Sequence, residues 1–243
     1  MENNLITKFK LNLKKMSKQN YKVLVVDDES DILELLQYNL KKEGYEVKTS
    51  IDGRKGVEIA KNFIPDLILL DIMMPQQDGV ETCRQLREIP ELSSAFIIFL
   101  TARAEEYSEI AAFDVGADDY ITKPIKPRAL MSRIGALFRR DIKKKDENSN
   151  IKIGDLSIDR SSYTVAVGNS QVTLPKKEFE LLYFLANNPN KVFSRDDLLQ
   201  NIWGSDVYVL ARTVDVHIRK VREKIGEGYI STVKGVGYKF ELN

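Results

Sequence analysis

The chain has 243 residues, which is enough for two ordinary domains, and its net charge at pH 7 is +1. This near-neutral balance argues against a protein that coats nucleic acid without specificity, and a single cysteine excludes an intramolecular disulfide and a cysteine-cluster metal site. No apolar stretch approaches the roughly 18 residues of a membrane span, and the N-terminus lacks the apolar core of a secretion signal, so we expect a cytoplasmic protein with no membrane partner.

The charge is divided unevenly along the chain, and this division indicates two domains with different partners. Residues 21–138 carry 14 basic and 21 acidic side chains, whereas residues 151–243 carry 13 basic and 11 acidic ones. An acidic domain joined to a locally basic one fits a regulatory module beside an anion-binding module. We expect residues 1–20 to be a disordered extension, and the charged, aperiodic residues 139–150 to be a flexible linker.

The first domain alternates short apolar runs with helical patterns. Runs of four or five apolar residues, bounded by polar residues, are typical of strands buried on both faces of a parallel sheet. The alternation predicts an α/β fold with a doubly wound, five-stranded parallel sheet. The predicted strands are residues 23–26, 45–49, 66–70, 96–100 and 119–121; the first helix has Ser30 or Asp31 as its N-cap, and the later helices span residues 54–62, 79–88, 105–115 and 127–140.

Polar residues follow four of these strands directly. Asp27-Asp28 follow the first strand, Asp71 the third, Thr101 the fourth and Lys123 the fifth. Each of them alone also fits a turn or a solvated helix end. Together they would meet at the carboxyl edge of the sheet, where ligands of such folds bind. Three acids, a hydroxyl and a lysine predict a site for a divalent cation and a phosphoryl group.

The segments around these residues resemble the receiver domain of two-component response regulators, which has a flavodoxin-like fold. The resemblance runs from about Tyr21 to Arg140 and would make residues 21–138 the receiver domain. It rests on four motifs in the right order: Asp27-Asp28, Leu70-Asp71-Ile72-Met73-Met74-Pro75 with Asp78-Gly79, Leu100-Thr101-Ala102, and Asp118-Asp119-Tyr120 leading into Lys123-Pro124.

The resemblance implies a phosphorylation site that uses Mg²⁺. Asp71 would accept a phosphoryl group from a sensor histidine kinase and form an acyl phosphate. Asp28 and Asp71 would bind the metal directly, Asp27 would bind it through water, and the backbone carbonyl of Met73 would add a further ligand.

Three further residues would complete this site and pass its state on. Lys123, aimed by a cis bond to Pro124, would neutralise charge on the phosphoryl oxygens. Thr101 would hydrogen-bond the new phosphoryl group, and Tyr120 would then rotate inward, which makes Thr101 and Tyr120 the switch residues.

The second domain, residues 151–243, has a different pattern. Four short strands at about residues 151–153, 156–158, 163–167 and 172–174 predict a small antiparallel sheet. Three helices follow, beginning near Lys176, Ser194 and Ala211, and residues 229–242 predict a hairpin with a glycine-rich turn. We expect Phe179 and Trp203 to lie in the core.

The last helix combines an apolar stripe with a basic face. Val214, Ile218, Val221 and Ile225 recur at helical spacing, and the opposite face is basic. Such a helix suits insertion into a DNA major groove, although a solvated amphipathic helix has the same pattern.

In its context this helix resembles the recognition helix of the winged-helix output domain of the OmpR/PhoB family, an α+β fold. The resemblance implies binding to promoter double-stranded DNA, with Lys234 of the wing near the minor groove. Lysine at positions 220 and 234, where many relatives carry arginine, would soften base recognition. Phosphate contacts would come from Arg212, Thr213, His217, Arg219 and Arg222, and base contacts from Val216 and Lys220; His217 equally fits a packed core position.

The same resemblance implies two protein partners. Phosphorylation would promote a homodimer through the last part of the receiver domain, with Asp119 and Arg133 as one interface pair. A second pair is absent, because Glu109 stands where a basic residue is usual and Ala129 where an acid is usual. Residues 205–210 match the loop with which relatives contact RNA polymerase.

Together these observations predict a phosphorylation-dependent transcription regulator, and not an enzyme that turns over an external substrate. One alternative is a constitutive DNA-binding regulator whose receiver serves only as a dimerisation platform. A phosphatase of the aspartyl-phosphate type would also use Asp71 and Mg²⁺, but Met73 stands where it would need a second acid. No glycine-rich fingerprint follows the first strand, which disfavours dinucleotide binding.

Overall fold

The computed structural model describes residues 21–102, 114–145, 150–204 and 211–242. In the helix Pro127–Lys145 it describes side chains only as far as Arg139. The extension 1–20, most of the predicted helix 105–115 and the predicted polymerase loop 205–210 lie outside the described residues.

The first domain is a parallel sheet covered by helices. The strand order is β2-β1-β3-β4-β5, and all pairs are parallel, which confirms the predicted doubly wound sheet. Its elements are β1 (Lys22–Val26), α1 (Ser30–Lys42), β2 (Glu46–Ser50), α2 (Gly53–Phe63), β3 (Leu67–Asp71), α3 (Gly79–Arg87), a 3-10 turn (Pro90–Leu92), β4 (Phe96–Thr101), β5 (Asp119–Thr122) and α4 (Pro127–Lys145).

The central strands are buried on both faces because their side chains alternate between two apolar clusters. Leu67 and Leu69 of β3 pack with α1 and α4 on one side, whereas Ile68 and Leu70 pack with α2 and α3 on the other. Every residue of β3 and β4 is buried. A strand with two apolar faces needs helices on both sides, and this requirement fixes the layered architecture.

Two predicted boundaries were wrong. The N-cap of α1 is Glu29, not Ser30 or Asp31, because Glu29 has an extended backbone (φ −83°, ψ 107°) and Ser30 is already helical. Helix α4 continues to Lys145, into the predicted flexible linker. Residues 139–145 contain neither glycine nor proline, and arginine and lysine are good helix formers, so nothing ends the helix at Arg140.

The second domain contains two antiparallel sheets and three described helices. A four-stranded sheet in the order β6-β7-β8-β9 precedes the helices. A three-stranded sheet in the order β10-β12-β11 joins the final hairpin to a short strand that lies between the first two helices and that the sequence did not predict. The elements are β6 (Asn150–Ile153), β7 (Leu156–Asp159), β8 (Thr164–Val167), β9 (Ser170–Val172), α5 (Lys176–Ala186), β10 (Phe193–Ser194), α6 (Arg195–Ile202), α7 (Thr213–Ile225), β11 (Ile230–Val233) and β12 (Gly237–Phe240).

Helix α7 packs into the second core through its predicted stripe. Val214, Ile218, Val221 and Ile225 are all buried, and they join Phe179 and Trp203 in one cluster, as predicted. The helices of the described part of the chain include none that is both long and apolar enough to span a bilayer.

Candidate functional site

Three carboxylates meet at the carboxyl edge of the central strands. Asp27 follows β1 and Asp71 ends β3, and because these strands pair directly, Val26 lies opposite Leu70 and the two acids lie side by side. Asp27 and Asp71 are buried, whereas Asp28 is exposed. One oxygen of each of the three carboxylates lies within 4.8 Å of the others, which is close enough for one cation.

The loop after Asp71 holds the carboxylate from the main chain. Asp71 Oδ2 accepts a hydrogen bond of 2.9 Å from the amide of Met73, and the Met73 side chain is exposed. The amide of Gly79 donates to the carbonyl of Ile72 at 3.0 Å and closes the loop onto the start of α3. Asp78 caps α3 by accepting from the amide of Glu81 at 2.8 Å. The Asp71 carboxylate is therefore held in place by the loop that follows it.

Lys123 lies between the carboxylates. Its Nζ is 2.9 Å from Asp71 Oδ1, 3.0 Å from Asp27 Oδ2 and 2.8 Å from Glu29 Oε1. The Lys123–Pro124 bond is cis, as the resemblance predicted. Burial alone would lower the pKa of Lys123, but the hydrogen bonds to Glu29, Asp71 and Asp27 outweigh burial and raise that pKa, so the ammonium stays charged.

The sequence reasoning missed Glu29 as part of this site. Its side chain is exposed but reaches Lys123 across the sheet edge. The sequence feature that could have indicated its role is that Glu29 is the third consecutive acid after β1. Glu29 and Asp71 therefore share the same ammonium group.

The residues present fit a hard divalent cation. The donors are three carboxylate oxygens, the type of ligand that Mg²⁺ prefers. Desolvation raises the pKa of Asp27, and hydrogen bonds from the Glu29 amide and Lys123 only partly oppose it. Asp27 Oδ2 lies 3.0 Å from the Lys123 ammonium, so this buried oxygen already faces a positive charge at the position where a cation would bind.

The two predicted switch residues occupy neighbouring strands. Thr101 is buried at the end of β4, and its carbonyl accepts from the Lys123 amide at 2.6 Å. Tyr120 is half-buried in β5 and contacts the apolar clusters of both domains. Thr101 is thereby linked to the lysine, and Tyr120 to the second domain.

Most predicted DNA-contacting residues lie at or near the surface of the second domain. Arg212 and Arg219 are exposed, Val216 and Lys220 are half-buried, and Lys234 is exposed at the hairpin tip, where Gly235 has φ +76°. Arg222 instead turns back to the hairpin and donates to the Ile230 carbonyl at 2.8 Å and to Thr232 Oγ1 at 2.8 Å.

Two of the residues predicted to contact phosphates are buried in this conformation. Thr213 and His217 are only 2% and 1% exposed, so both are shielded from a nucleic acid here. The His217 ring lies 5.0 Å from the Trp203 ring, and burial lowers its pKa to about 3, which keeps the imidazole neutral. The sequence placed both residues beside the basic face of the helix. In the structure, this edge of α7 packs against the rest of the protein, so both side chains are buried.

A charged cluster that the sequence did not reveal joins α7 to the hairpin. Asp215 Oδ1 accepts from Arg195 Nε at 2.7 Å and from the Tyr238 hydroxyl at 2.6 Å. Burial and the bond to Asp215 raise the pKa of Tyr238 to about 12, so its hydroxyl remains a donor. The predicted recognition helix and the predicted wing are thus held in a fixed relation.

The predicted dimer pair is made within one chain. Arg133 Nη2 donates to Asp119 Oδ1 at 2.8 Å and Oδ2 at 2.6 Å. Desolvation raises the pKa of the Asp119 carboxyl, and the Arg133 charge opposes that rise. Ala129 is exposed on α4, and Glu109 lies outside the described residues.

Comparison with known families separates the chain into the same two parts. Residues 23–135 match the response regulator receiver domain, and residues 169–240 match the family described as transcriptional regulatory protein, C terminal. The first match contains the acid cluster and Lys123, and the second contains α7 and the hairpin.

Characterised relatives are similar over nearly their whole length. The alkaline phosphatase synthesis transcriptional regulatory protein PhoP of Bacillus subtilis (strain 168) is 42% identical over 235 residues, covering 91% of this chain and 97% of the relative. The transcriptional regulatory protein ResD of the same strain is 41% identical, with 91% and 96% covered. The phosphate regulon transcriptional regulatory protein PhoB of Rhizobium meliloti (strain 1021) is 41% identical, with 90% and 98% covered.

Among solved structures, a RitR mutant superposes with a TM-score of 0.75 at 28% sequence identity, covering 92% of this chain and all of that one. Both domains and their order therefore have counterparts in known regulators. The chain belongs to the OmpR/PhoB family of two-component response regulators, with a receiver domain followed by a winged-helix DNA-binding domain that regulates transcription.

Proposed function

We propose that Asp71 accepts a phosphoryl group from a sensor histidine kinase, and that this event controls promoter binding by the winged-helix domain. One observation carries the proposal: Lys123 Nζ lies 2.9 Å from Asp71 Oδ1, while Asp27 and Asp28 flank the same carboxylate. A nucleophile, a cation site and a fixed positive charge then stand at one edge of the sheet.

The chemistry follows from these positions. The P–N bond of a phosphohistidine breaks, a P–O bond to Asp71 forms, and the released imidazole takes up a proton. Charge on the transferring phosphoryl oxygens is met by Lys123, which must leave part of its contact with Glu29 and Asp71 to do so. Mg²⁺, held by Asp27, Asp28, Asp71 and the Met73 carbonyl, would neutralise the repulsion between a dianionic donor and the carboxylates.

The phosphorylated site would act through Thr101 and Tyr120. Thr101 would hydrogen-bond the phosphoryl group, and Tyr120 would turn inward on β5, which changes the surface of β5 and α4. A homodimer would then form across this surface, with Asp119 and Arg133 exchanging their internal pairing for partners on the second chain. Two winged helices would bind direct repeats in promoter DNA.

On DNA, helix α7 would enter the major groove. Val216 and Lys220 would face bases, while Arg212, Thr213, His217, Arg219 and Arg222 would hold phosphates and Lys234 would approach the minor groove. The loop 205–210 would contact RNA polymerase. Burial of Thr213 and His217 means that α7 must be released before the whole set can act.

The test combines solution mass with DNA affinity. Light scattering is run with Mg²⁺ alone and then with beryllofluoride, a phosphoryl mimic, on the wild-type chain and on Asp71→Asn. We expect a monomer-to-dimer shift and tighter duplex binding only with intact Asp71. Asp31→Asn is the matched control, because Asp31 is an exposed acid on α1 outside the cluster.

Other outcomes would select the alternatives. If the affinity for duplex DNA changes neither with beryllofluoride nor in Asp71→Asn, a constitutive DNA-binding regulator whose receiver serves only as a dimerisation platform would be favoured. Release of inorganic phosphate from a small phosphate ester, continuing beyond one equivalent per chain, would favour a phosphatase.

A further inference from the structure

Glu29 contacts the proposed phosphorylation site with both its main chain and its side chain. Its amide donates to Asp27 Oδ1 at 3.0 Å, and its Oε1 accepts from Lys123 Nζ at 2.8 Å. Lys123 Nζ in turn lies 3.0 Å from Asp27 Oδ2. Glu29, Asp27 and Lys123 therefore form a closed ring, and the lysine of this ring also pairs with Asp71 at 2.9 Å.

The carboxylate of Glu29 differs from the other two acids around Lys123 in its exposure. The Glu29 side chain is 60% exposed, whereas the side chains of Asp27 and Asp71 are 0% and 5% exposed. Lys123 lies between them, with 14% of its side chain exposed. Glu29 therefore binds the ammonium from the solvent side, and the two buried acids bind it from within.

The Glu29 side chain is not used to cap the helix that it precedes. Glu29 is the N-cap of α1, and its carbonyl accepts from the amides of Ile32 and Leu33, each at 3.1 Å. A capping side chain would accept from an amide of the first turn, but that of Glu29 forms no such hydrogen bond. Replacing the carboxylate therefore removes its contact with Lys123 and leaves the main-chain bonds of Glu29 in place.

Phosphoryl acceptance makes the surroundings of Lys123 more negative. Asp71 carries one negative charge, and a phosphoryl group carries about two. Lys123 must turn toward the phosphoryl oxygens to neutralise them, and this movement weakens its ion pair with Glu29. The Glu29 carboxylate also repels a phosphoryl group, because both are anions. Both effects favour the unphosphorylated site.

Cation binding has the opposite requirement. Lys123 occupies oxygens of Asp27 and Asp71, two of the carboxylates that could hold Mg²⁺. Glu29 gives the ammonium a partner on the solvent side, so Lys123 can leave these oxygens without losing every ion pair. The Glu29 charge also attracts a cation toward the cluster. Both effects favour Mg²⁺ binding.

We propose that Glu29 is a positioning residue for Lys123: it holds the ammonium on the solvent side of the site, which aids Mg²⁺ binding and restrains phosphoryl acceptance at Asp71. This inference rests on the proposed function for the identity of Asp71 as the acceptor. The exposure of Glu29 makes this restraint accessible to a variant that leaves the buried acids unchanged.

The test compares two affinities in the full chain, wild type and Glu29→Gln. Glutamine has nearly the same shape and removes one charge. Calorimetry measures Mg²⁺ affinity, and fluorine NMR at saturating Mg²⁺ measures bound beryllofluoride. We expect Mg²⁺ to bind about threefold more weakly and beryllofluoride about threefold more tightly, the size of effect that a partly exposed ion pair produces. Damage to the site would weaken both affinities, and either that result or unchanged affinities would overturn the proposal.

Glu34→Gln is the matched control. Glu34 is an exposed acid on α1, five residues after Glu29, so this variant loses the same charge from the same helix. Both affinities should stay close to wild type. Shifts as large as those of Glu29→Gln would show that only net charge matters, and they would overturn the role of the contact with Lys123.

Ionic strength provides a second readout. The screening length falls to about 3 Å at about 1 M salt, so the repulsion between Glu29 and a bound anion should be largely screened. The difference in beryllofluoride affinity between wild type and Glu29→Gln should therefore shrink as salt is added. A difference that is the same at low and high salt would indicate a change in structure and would contradict the proposal.

A double variant tests whether Glu29 acts through Lys123. We expect Glu29→Gln to change Mg²⁺ affinity less in the Lys123→Met background than in wild type, because the ammonium that Glu29 holds is gone. An equal change in both backgrounds would show that Glu29 acts on the cation directly and would overturn its positioning role. The first comparison keeps Lys123 intact, so it decides the proposal even if Lys123→Met does not fold.

Failure of this inference and failure of the proposed function give different results. If wild type and Glu29→Gln bind beryllofluoride equally and both then bind duplex DNA more tightly, the proposed function stands and the restraint by Glu29 is overturned. If Glu29→Gln binds beryllofluoride more tightly but the affinity for duplex DNA does not respond in either protein, the restraint stands and the control of promoter binding is overturned.

Discussion

The backbone of Gly79 lies against the carbonyl oxygen of Asp71, so that a Cβ at position 79 would stand 2.1 Å from that oxygen. Real Cβ atoms do not approach an oxygen so closely. We therefore expect Gly79→Ala to move the loop that carries Asp71, to cost about 1–3 kcal/mol of unfolding free energy as overpacking does, and to slow phosphoryl acceptance from a small-molecule donor.

Urea unfolding and phosphorylation time courses measure both effects of that change. Gly228→Ala is the control, since a Cβ there would meet no heavy atom within 4 Å. Equal stability and equal phosphorylation of the two alanine variants would contradict the role of the close contact.

Lys123 neutralises two buried acids, and its removal should lower the free energy of unfolding. Lys123→Met leaves Asp27 and Asp71 facing each other without their cation, and we expect about 3 kcal/mol of destabilisation, the lower range for losing one member of a buried pair. Mg²⁺ should restore more stability to this variant than to wild type. Urea unfolding with and without Mg²⁺ measures both effects.

The pH dependence of Lys123→Met has a definite sign. The pKa of Asp27 is already raised by burial, and removing Lys123 takes away an interaction that lowers it. A carboxyl with a raised folded pKa binds more protons when folded, so stability is lost as pH rises through that pKa and regained as pH falls. Lys126→Met, an exposed lysine on the same segment, should show neither effect.

The wing lysine should contribute affinity without base recognition. Lys234 is exposed at the tip between β11 and β12, so Lys234→Ala should weaken binding to all duplexes similarly and reduce the slope of log affinity against log salt by about 1. Fluorescence anisotropy over a salt series measures it. Lys239→Ala on the same hairpin, whose lysine pairs with Glu241 at 3.1 Å, should leave the slope closer to wild type.

His217 should make the protein less stable in weak acid. It is the only histidine, and burial lowers its pKa to about 3, so below its ordinary pKa the unfolded chain binds a proton that the folded chain does not. Stability is therefore present above about pH 6.5 and is lost as pH falls, by about 1.4 kcal/mol per pH unit.

Urea unfolding between about pH 7 and about pH 5 compares wild type with His217→Gln, which cannot titrate in this range. Buried carboxyls with raised pKa act in the opposite direction, but they are common to both proteins. The difference in unfolding free energy between wild type and His217→Gln should therefore change with pH by the slope given above. Parallel pH profiles of the two proteins would show that His217 is solvated.

Much of the fold followed from local pattern. Apolar runs ending at Asp27, Asp71 and Thr101 predicted both the strands and the edge where these residues meet, because parallel strands bring their carboxyl ends together. The helical spacing of Val214, Ile218, Val221 and Ile225 predicted the buried stripe of α7 for a similar reason: periodicity of 3.6 residues fixes which side chains share a face.

Helix ends and burial at the edge of a helix were less predictable. Glu29 rather than Ser30 caps α1, and its side chain reaches Lys123, 94 residues along the chain. Thr213 and His217 look like members of a basic face in the sequence, but both are buried, and the His217 ring packs beside the Trp203 ring. Such outcomes depend on which surface approaches the helix, and periodicity carries no information about that surface.

The sequence by itself determined two domains, the order of their elements and the acid–lysine constellation, because backbone propensity and apolar period act over a few residues. Only the tertiary structure decided how the domains meet. The bond from Trp203 to Asp118 joins residues 85 positions apart, and the burial of Lys176 on Phe96 requires two folded surfaces of matching shape. Contacts of this kind form when two folded domains pack together. They cannot be predicted from local sequence patterns, because each surface exists only after its own domain has folded.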